Sequence, residues 1–176
     1  CVAQGNTFFD NGHPVIIGVS TNFDDSNIFH NPANPAETNL CNGIFVDVVH
    51  STQAQTMTWS ETEVAFVLGG WTGNGWTFYA NKILILGDNV VIKFAHYTVP
   101  GFGILLMSGD MQLQNHNGTG VVFTSYEDDD YKGDTNGDGA SSGTSGSWEG
   151  ISYPGINWYS WPNIYFAAHN GGSGET

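Results

Sequence analysis

The chain has very little positive charge. It contains no arginine and three lysines, against 17 acidic residues among 176, so its formal net charge is -14. A charge of this sign repels nucleic-acid phosphates and anionic membrane surfaces. The composition therefore excludes nucleic acid as an expected partner.

Long apolar runs are missing, and cysteine is scarce. No stretch of about 18 apolar residues occurs, so we expect no membrane span. No basic segment followed by an apolar one precedes Cys1, which indicates a mature or excised chain. Cys1 and Cys41 lack the C-x-x-C spacing of redox and zinc motifs. Three interpretations stay open: a disulfide between them in an oxidising compartment, a lipid-bearing Cys1, or a fragment boundary at Cys1.

Helical periodicity is hard to find, and short β-branched and aromatic runs recur instead. Clusters of Asn, Gly, Asp and Pro separate these runs, which lie at residues 15–17, 44–46, 83–86, 90–94, 104–107 and 121–124. The pattern predicts an all-β protein. Because several runs are continuous rather than alternating, either their outer faces are covered or the protein exposes apolar surface.

The spacing of similar segments predicts a solenoid. An Asn-x-Phe pattern begins at Asn6 and again at Asn27, 21 residues later, and Ile83 and Ile104 are separated by the same interval. We expect one β-solenoid domain over residues 1–176. Its first coils would occupy about 1–50, a polar connector 51–75, and further coils 76–176.

An acidic segment at residues 127–139 is the strongest candidate site. It places six carboxylates in thirteen residues and ends in a D-x-N-x-D-G pattern formed by Asp134, Asn136 and Asp138. Alternating oxygen ligands followed by a glycine turn are typical of the first half of a calcium loop. The second half departs from an EF-hand, because Gly- and Ser-rich residues follow where a helix would carry the last ligand.

The remaining ligands must therefore come from elsewhere. We expect the coordination shell of Ca2+ to be completed by the backbone carbonyl of Ala140 and by Asp128, Asp129, Asp130 or Glu149. The alternative is a solvated acidic turn without a metal, since Asp, Asn and Gly are common turn residues.

Four stretches together resemble the right-handed parallel β-helix modules of large bacterial secreted and cell-surface proteins, in the pectate-lyase-like solenoid superfamily. They are residues 5–15, 42–46, 84–94 and 121–151. The last is the most specific: Phe-Thr-Ser ends a strand, Gly-Asp-Thr-Asn-Gly-Asp-Gly follows, and Trp148 starts a Trp-Glu-Gly-Ile segment where such modules have Trp-Gly-Gly-Ile. Residues 65–75 and 154–162 depart from the pattern. The resemblance implies a right-handed parallel β-helix and an extracellular or cell-surface location, but no particular reaction.

Enzymatic chemistry has little support in the sequence. A polysaccharide lyase usually needs a basic side chain next to the acidic sugar, and this chain has no basic cluster. A hydrolase needs two carboxylates about 5 to 9.5 Å apart, and Glu61 and Glu63 are candidates because they share one strand face. Nothing singles them out, so we expect no catalytic residues.

Aromatic residues are concentrated near the end of the sequence. Such side chains stack on sugar rings, anchor protein interfaces or cover the end of a solenoid. Packing or an interface is favoured over glycan binding for the candidate residues Tyr153, Trp158, Tyr159, Trp161, Tyr165 and Phe166.

These observations predict a non-catalytic, calcium-stabilised extracellular module of a surface layer, adhesin or filament. Both ends of the sequence resemble solenoid coils without caps, which leaves two interpretations: an excerpt of a longer array, or subunits that stack end to end. We expect head-to-tail self-association, which does not close and therefore produces filaments. The alternative is a carbohydrate-binding module, or a fragment of a polysaccharide-active protein or adhesin, with a surface polysaccharide as partner.

Overall fold

The computed structural model describes residues 1–47, 55–69, 76–78, 82–95, 104–107, 112–148, 150–152 and 161–168. Within these ranges the regular structure consists of short strands and contains no helix, which confirms the all-β prediction. The described residues also include no helix long and apolar enough to cross a membrane. The strands are β1 (Val2–Ala3), β2 (Val15–Gly18), β3 (Asn22–Asp24), β4 (Gly43–Asp47), β5 (Gln55–Ser60), β6 (Ala65–Leu68), β7 (Trp76–Phe78), β8 (Lys82–Leu86), β9 (Val91–Phe94), β10 (Ile104–Met107), β11 (Gln112–Gln114), β12 (Val122–Ser125) and β13 (Gly150–Ser152).

The strands form three sheets in which each strand pairs with parallel neighbours. The first sheet has the order β1-β3-β5-β8-β11, the second β2-β4-β6-β9-β12, and the third β7-β10-β13. The chain visits the sheets in turn and then returns to the first, and each such pass is termed a rung. Rungs 1 to 5 begin with β1, β3, β5, β8 and β11. This path is compatible with a solenoid.

Apolar side chains align from rung to rung inside the second sheet. Ile44 pairs with Phe66, Phe66 with Ile92, Ile92 with Phe123, and Phe123 with Ile164 through a single parallel bridge. All five side chains are fully buried. The parallel pairing places apolar residues of successive rungs directly above one another, so the rungs share one continuous core.

The predicted repeat at Asn6 and Asn27 corresponds to neighbouring rungs. Thr7 and Ile28 form a parallel bridge, and Asn6 Nδ2 donates to Asn27 Oδ1 at 2.9 Å. The 21-residue interval between Ile83 and Ile104 does not relate equivalent positions of neighbouring rungs. Ile83 pairs with Gln112 in the first sheet, whereas residue 104 belongs to the third sheet.

The segment expected to be a connector contains two central strands. Within residues 51–75, β5 lies between β3 and β8, and β6 lies between β4 and β9. In β5 the buried Met57 and Trp59 alternate with the less buried Thr56, Thr58 and Ser60. The polar composition that indicated a connector therefore reflects the outer face of a rung.

The two cysteines are free thiols, so the structure does not contain the Cys1–Cys41 disulfide that was one of the open interpretations. Cys1 is exposed at the start of the first sheet, where its carbonyl accepts from Asn22 N at 2.9 Å. Cys41 is buried just before β4 of the second sheet. The cysteines thus precede strands of two different sheets.

Candidate metal centre

The acidic segment folds back across the outside of the second sheet. Residues 126–141, termed the strap, follow β12 of rung 5 and reach residues next to β4 of rung 2. Asn42 N donates to the carbonyl of Asp134 at 3.1 Å, and Lys132 Nζ donates to the carbonyl of Thr62. The strap is therefore hydrogen-bonded to segments of rungs 2 and 3, far from its origin along the sheet.

The strap explains why central strands of the second sheet are buried on both faces. Phe45, Val67, Lys93 and Thr124 occupy aligned outward positions on neighbouring strands, and each is at most 1% exposed. Ile16 occupies the same position on the edge strand β2 and is 42% exposed. The outer faces of rungs 2 to 5 are thus covered, whereas that of rung 1 is open at Ile16.

Lys93 of β9 is hydrogen-bonded to the strap. Its side chain is fully buried, and Nζ donates to the carbonyl of Gly133 at 2.7 Å and to Thr135 Oγ1 at 3.2 Å. Burial lowers the pKa of Lys93 to about 8, although the nearby carboxylates of Asp129, Asp128 and Asp134 favour its charged form. Lys93 is not among the site residues predicted from the sequence. The available signal was a lysine within the apolar run at residues 90–94.

Three carboxylates of the strap lie close together. Asp129, Asp134 and Asp138 each offer a carboxylate oxygen, and the three oxygens lie within 4.8 Å of one another. Asp134 also organises the loop, because Oδ1 accepts from Gly137 N at 2.6 Å and Oδ2 from Gly139 N at 3.0 Å. Gly137 and Gly139 have φ values of 76° and 88°, which side-chain-bearing residues rarely adopt.

Within the described part of the chain, Asp129 contributes a buried oxygen without a hydrogen-bond partner to this group. Its Oδ2 accepts from Ser141 N at 2.7 Å, whereas its Oδ1 is buried and has no hydrogen-bond partner within the described structure. A buried carboxylate oxygen without a donor is costly. A cation would satisfy it and would also relieve the repulsion among the three carboxylates.

The other predicted ligands have different roles or positions. Asp128 is 1% exposed and points into the fold, where it accepts from the Thr124 hydroxyl and from Asp130 N at 3.2 Å. Asn136 Oδ1 accepts from Asp138 N at 3.3 Å. Asp130 is exposed and its carboxylate is not part of the three-carboxylate group, and Ala140 is an exposed residue of the same loop. Glu149 falls outside the described residues.

The chemistry of the group fits Ca2+. Carboxylates are hard oxygen ligands, and Ca2+ accepts six to eight oxygens in flexible geometry, including backbone carbonyls and water. The group contains no sulfur or imidazole, the ligands that favour zinc or copper. Asp129, Asp134 and Asp138 are therefore the residues that would hold the ion.

The aromatic candidates that the structure describes are packing residues. Trp161 is 6% exposed and stacks on His116, with ring centroids 3.9 Å apart. Tyr165 is half-buried against Tyr131 at 5.2 Å, and a hydrogen bond between them together with burial raises the pKa of Tyr131 to about 12. Phe166 packs against the main core. These positions favour packing over sugar stacking; Tyr153, Trp158 and Tyr159 lie outside the described residues.

The candidate hydrolase pair is engaged in a turn. Glu61 is 1% exposed, and its Oε1 accepts from Glu63 N at 2.8 Å and Thr62 N at 2.9 Å. Glu63 Oε1 lies 2.6 Å from His30 Nδ1 and accepts from Phe29 N at 3.2 Å. A carboxylate as buried as Glu61 is inaccessible to a polysaccharide chain.

Comparison with known proteins found no match to this chain among protein-family models, curated proteins or solved structures.

Proposed function

We propose that this chain is a non-catalytic structural module whose strap binds Ca2+ and thereby fastens the rungs of a right-handed parallel β-helix. The observation that carries the proposal is the unpartnered, buried Oδ1 of Asp129 beside Asp134 and Asp138. The parallel sheets support the fold assignment, and crossover connections between parallel strands are right-handed in about 98% of cases.

Ca2+ would connect distant rungs. Asp129 lies close to β12, whereas Asp134 is hydrogen-bonded through its carbonyl to Asn42 beside β4. A cation shared by these side chains therefore resists peeling of the strap from the second sheet. Binding to the folded state alone stabilises it by about 2.7 kcal/mol when free Ca2+ is 100-fold above Kd.

The proposal is tested by thermal unfolding in Ca2+ and in EGTA. We expect Ca2+ to raise the Tm of the wild-type chain and to have much less effect on Asp138→Asn. Asp130→Asn is the matched control, because it removes the same charge from an exposed aspartate outside the group. Equal Tm values of the wild type in Ca2+ and EGTA, with no calorimetric Ca2+ binding, would contradict the proposal.

We further propose an extracellular or cell-surface location and head-to-tail stacking. Within the described part of the chain, β1 and β2 are edge strands of rung 1, and Val2 is 58% exposed. The docking element would be the coil around residues 164–168 of a second copy. An interface of about 1,600 Å2 suffices for stable association when its centre is well packed.

A further inference from the structure

The turn between β5 and β6 of rung 3 contains a buried acid that the proposed calcium site does not use. Glu61 follows β5 directly, and its Oε1 accepts two backbone N–H groups of its own turn. Its Oε2 is buried and has no hydrogen-bond partner among the described residues. A carboxylate in this environment lacks the donors that would stabilise its second oxygen.

Two other carboxylates join the same turn to rung 2. Asp25 Oδ1 accepts from Thr62 N at 2.7 Å, so Asp25 and Glu61 share one N–H donor. Glu63 accepts from Phe29 N and pairs with His30. The carboxylates of Asp25 and Glu63 both disfavour the ionised form of Glu61. The contacts that join the rungs are thus made around a buried acid.

We propose that Glu61 is a pH-sensitive latch: with a proton bound it lets rungs 2 and 3 close around the turn, and when ionised it loosens their contacts. Ionisation leaves a buried charge beside two carboxylates, and water must enter the turn to solvate it. The hydrogen bonds from Thr62 N to Asp25 and from Phe29 N to Glu63 are the ones that weaken.

The surrounding charges do not cancel that of Glu61. Lys132 of the strap donates to the Thr62 carbonyl, and His30 is paired with Glu63. Gly87 N donates to the Trp59 carbonyl, so the turn that contains Asp88 lies against the end of β5. The charged or titratable groups in the segments around Glu61 include Asp24, Asp25 and His30 of rung 2, Glu63 of the same turn, Asp88, and Lys132 together with the acidic residues of the strap. Acidic groups outnumber basic ones among them.

The direction of the pH effect follows from proton linkage. Burial, reinforced by the carboxylates of Asp25 and Glu63, raises the pKa of Glu61 from 4.5 to about 7, despite the backbone donors of Glu63 and Thr62. The closed turn therefore binds a proton more tightly than the open turn. Its stabilising contribution is complete below about pH 4.5 and is lost as the pH rises through about 7.

The test is amide hydrogen exchange of the whole chain in EGTA, corrected for the intrinsic pH dependence of exchange. Protection of the Thr62 and Phe29 amides should fall by up to about tenfold per pH unit between about pH 5 and about pH 7, relative to the core amide of Val67. Glu61→Gln should remove this dependence, because the amide side chain stays neutral. An unchanged dependence in Glu61→Gln would overturn the proposal.

His30 requires a control because its ring pairs with Glu63, next to Glu61 in the same turn. His30→Gln retains Glu61 and should retain the pH dependence; loss of the dependence in this variant would assign it to His30 and overturn the proposal. Should Glu61→Gln fail to fold, 13C-carboxyl NMR of the wild type decides. The Glu61 carboxyl carbon should titrate near pH 7, and titration below about pH 5 would refute the latch.

Discussion

Lys93 Nζ and Thr135 Oγ1 lie 3.2 Å apart, and both side chains are fully buried. Thr135 Oγ1 in turn lies 3.2 Å from the carbonyl of Tyr126, at the start of the strap. Because Lys93 belongs to β9, this contact fastens the strap to a rung other than the one from which it emerges. The acidic strap is therefore bound to a buried lysine of the sheet beneath it, in addition to containing the proposed Ca2+ site.

We predict that Lys93→Met destabilises the calcium-free protein by about 1–3 kcal/mol, since it leaves the Gly133 carbonyl without its buried donor. Ca2+ should restore part of the loss, because it neutralises the same carboxylates. Urea unfolding in EGTA and in Ca2+ measures both effects. Lys132→Met is the matched control at a half-buried position and should cost less. Equal stability of Lys93→Met and wild type in EGTA would contradict this role of Lys93.

We predict that Gly43→Ala disturbs the strap from the opposite side. A Cβ at this position would lie 3.0 Å from Val67 Cγ2, 3.2 Å from Thr135 Cγ2 and 3.3 Å from the Ala65 carbonyl. Overpacking of this kind typically costs about 1–3 kcal/mol, and it should also weaken Ca2+ binding. Calorimetry and urea unfolding measure the two effects. Gly18→Ala is the control, because a Cβ there meets nothing within 4 Å; equal losses in both variants would refute the steric argument.

The sequence predicts strands more readily than it predicts what covers them. Continuous runs such as residues 90–94 indicated strands buried on both faces, or exposed apolar surface, without distinguishing the two. The structure shows that the strap covers Lys93 and its neighbours. Long-range placement of this kind depends on where an irregular segment docks, and no local periodicity encodes it.

The sequence predicted an acidic metal site in this segment, but it did not predict which of the aspartates form it. Asp134 and Asp138 follow from the D-x-N-x-D-G spacing, and both belong to the three-carboxylate group. Among the consecutive Asp128, Asp129 and Asp130, the sequence offered no basis for a choice. The turn directs Asp128 to Thr124 and Asp129 toward the other carboxylates, a difference that three identical consecutive residues do not encode.

We predict that Phe66→Ala destabilises the protein by about 3–5 kcal/mol, because a large aromatic side chain is removed from a close-packed core. Phe66 is fully buried and stacks on Trp59, with ring centroids 4.7 Å apart and an interplanar angle of 9°. Phe9→Ala is the control, since Phe9 is 37% exposed, and it should cost much less. Similar unfolding midpoints for the two variants in urea would show that this rung contributes little to cooperative stability.

We predict that Ile16→Lys suppresses self-association in Ca2+. Ile16 aligns with Phe45 on the next strand, and the strap buries Phe45 but leaves Ile16 exposed. A second copy docked at rung 1 would cover Ile16 in the same way. The net charge of -14 opposes stacking, and added positive charge would by itself favour association. A loss of association in Ile16→Lys must therefore come from the disturbed contact. Ser142→Lys, an exposed site on another segment, carries the same charge change and should associate at least as well as wild type. Sedimentation at high protein concentration in millimolar Ca2+ measures the effect, and a wild-type chain that stays a 19.0 kDa monomer there would contradict head-to-tail stacking.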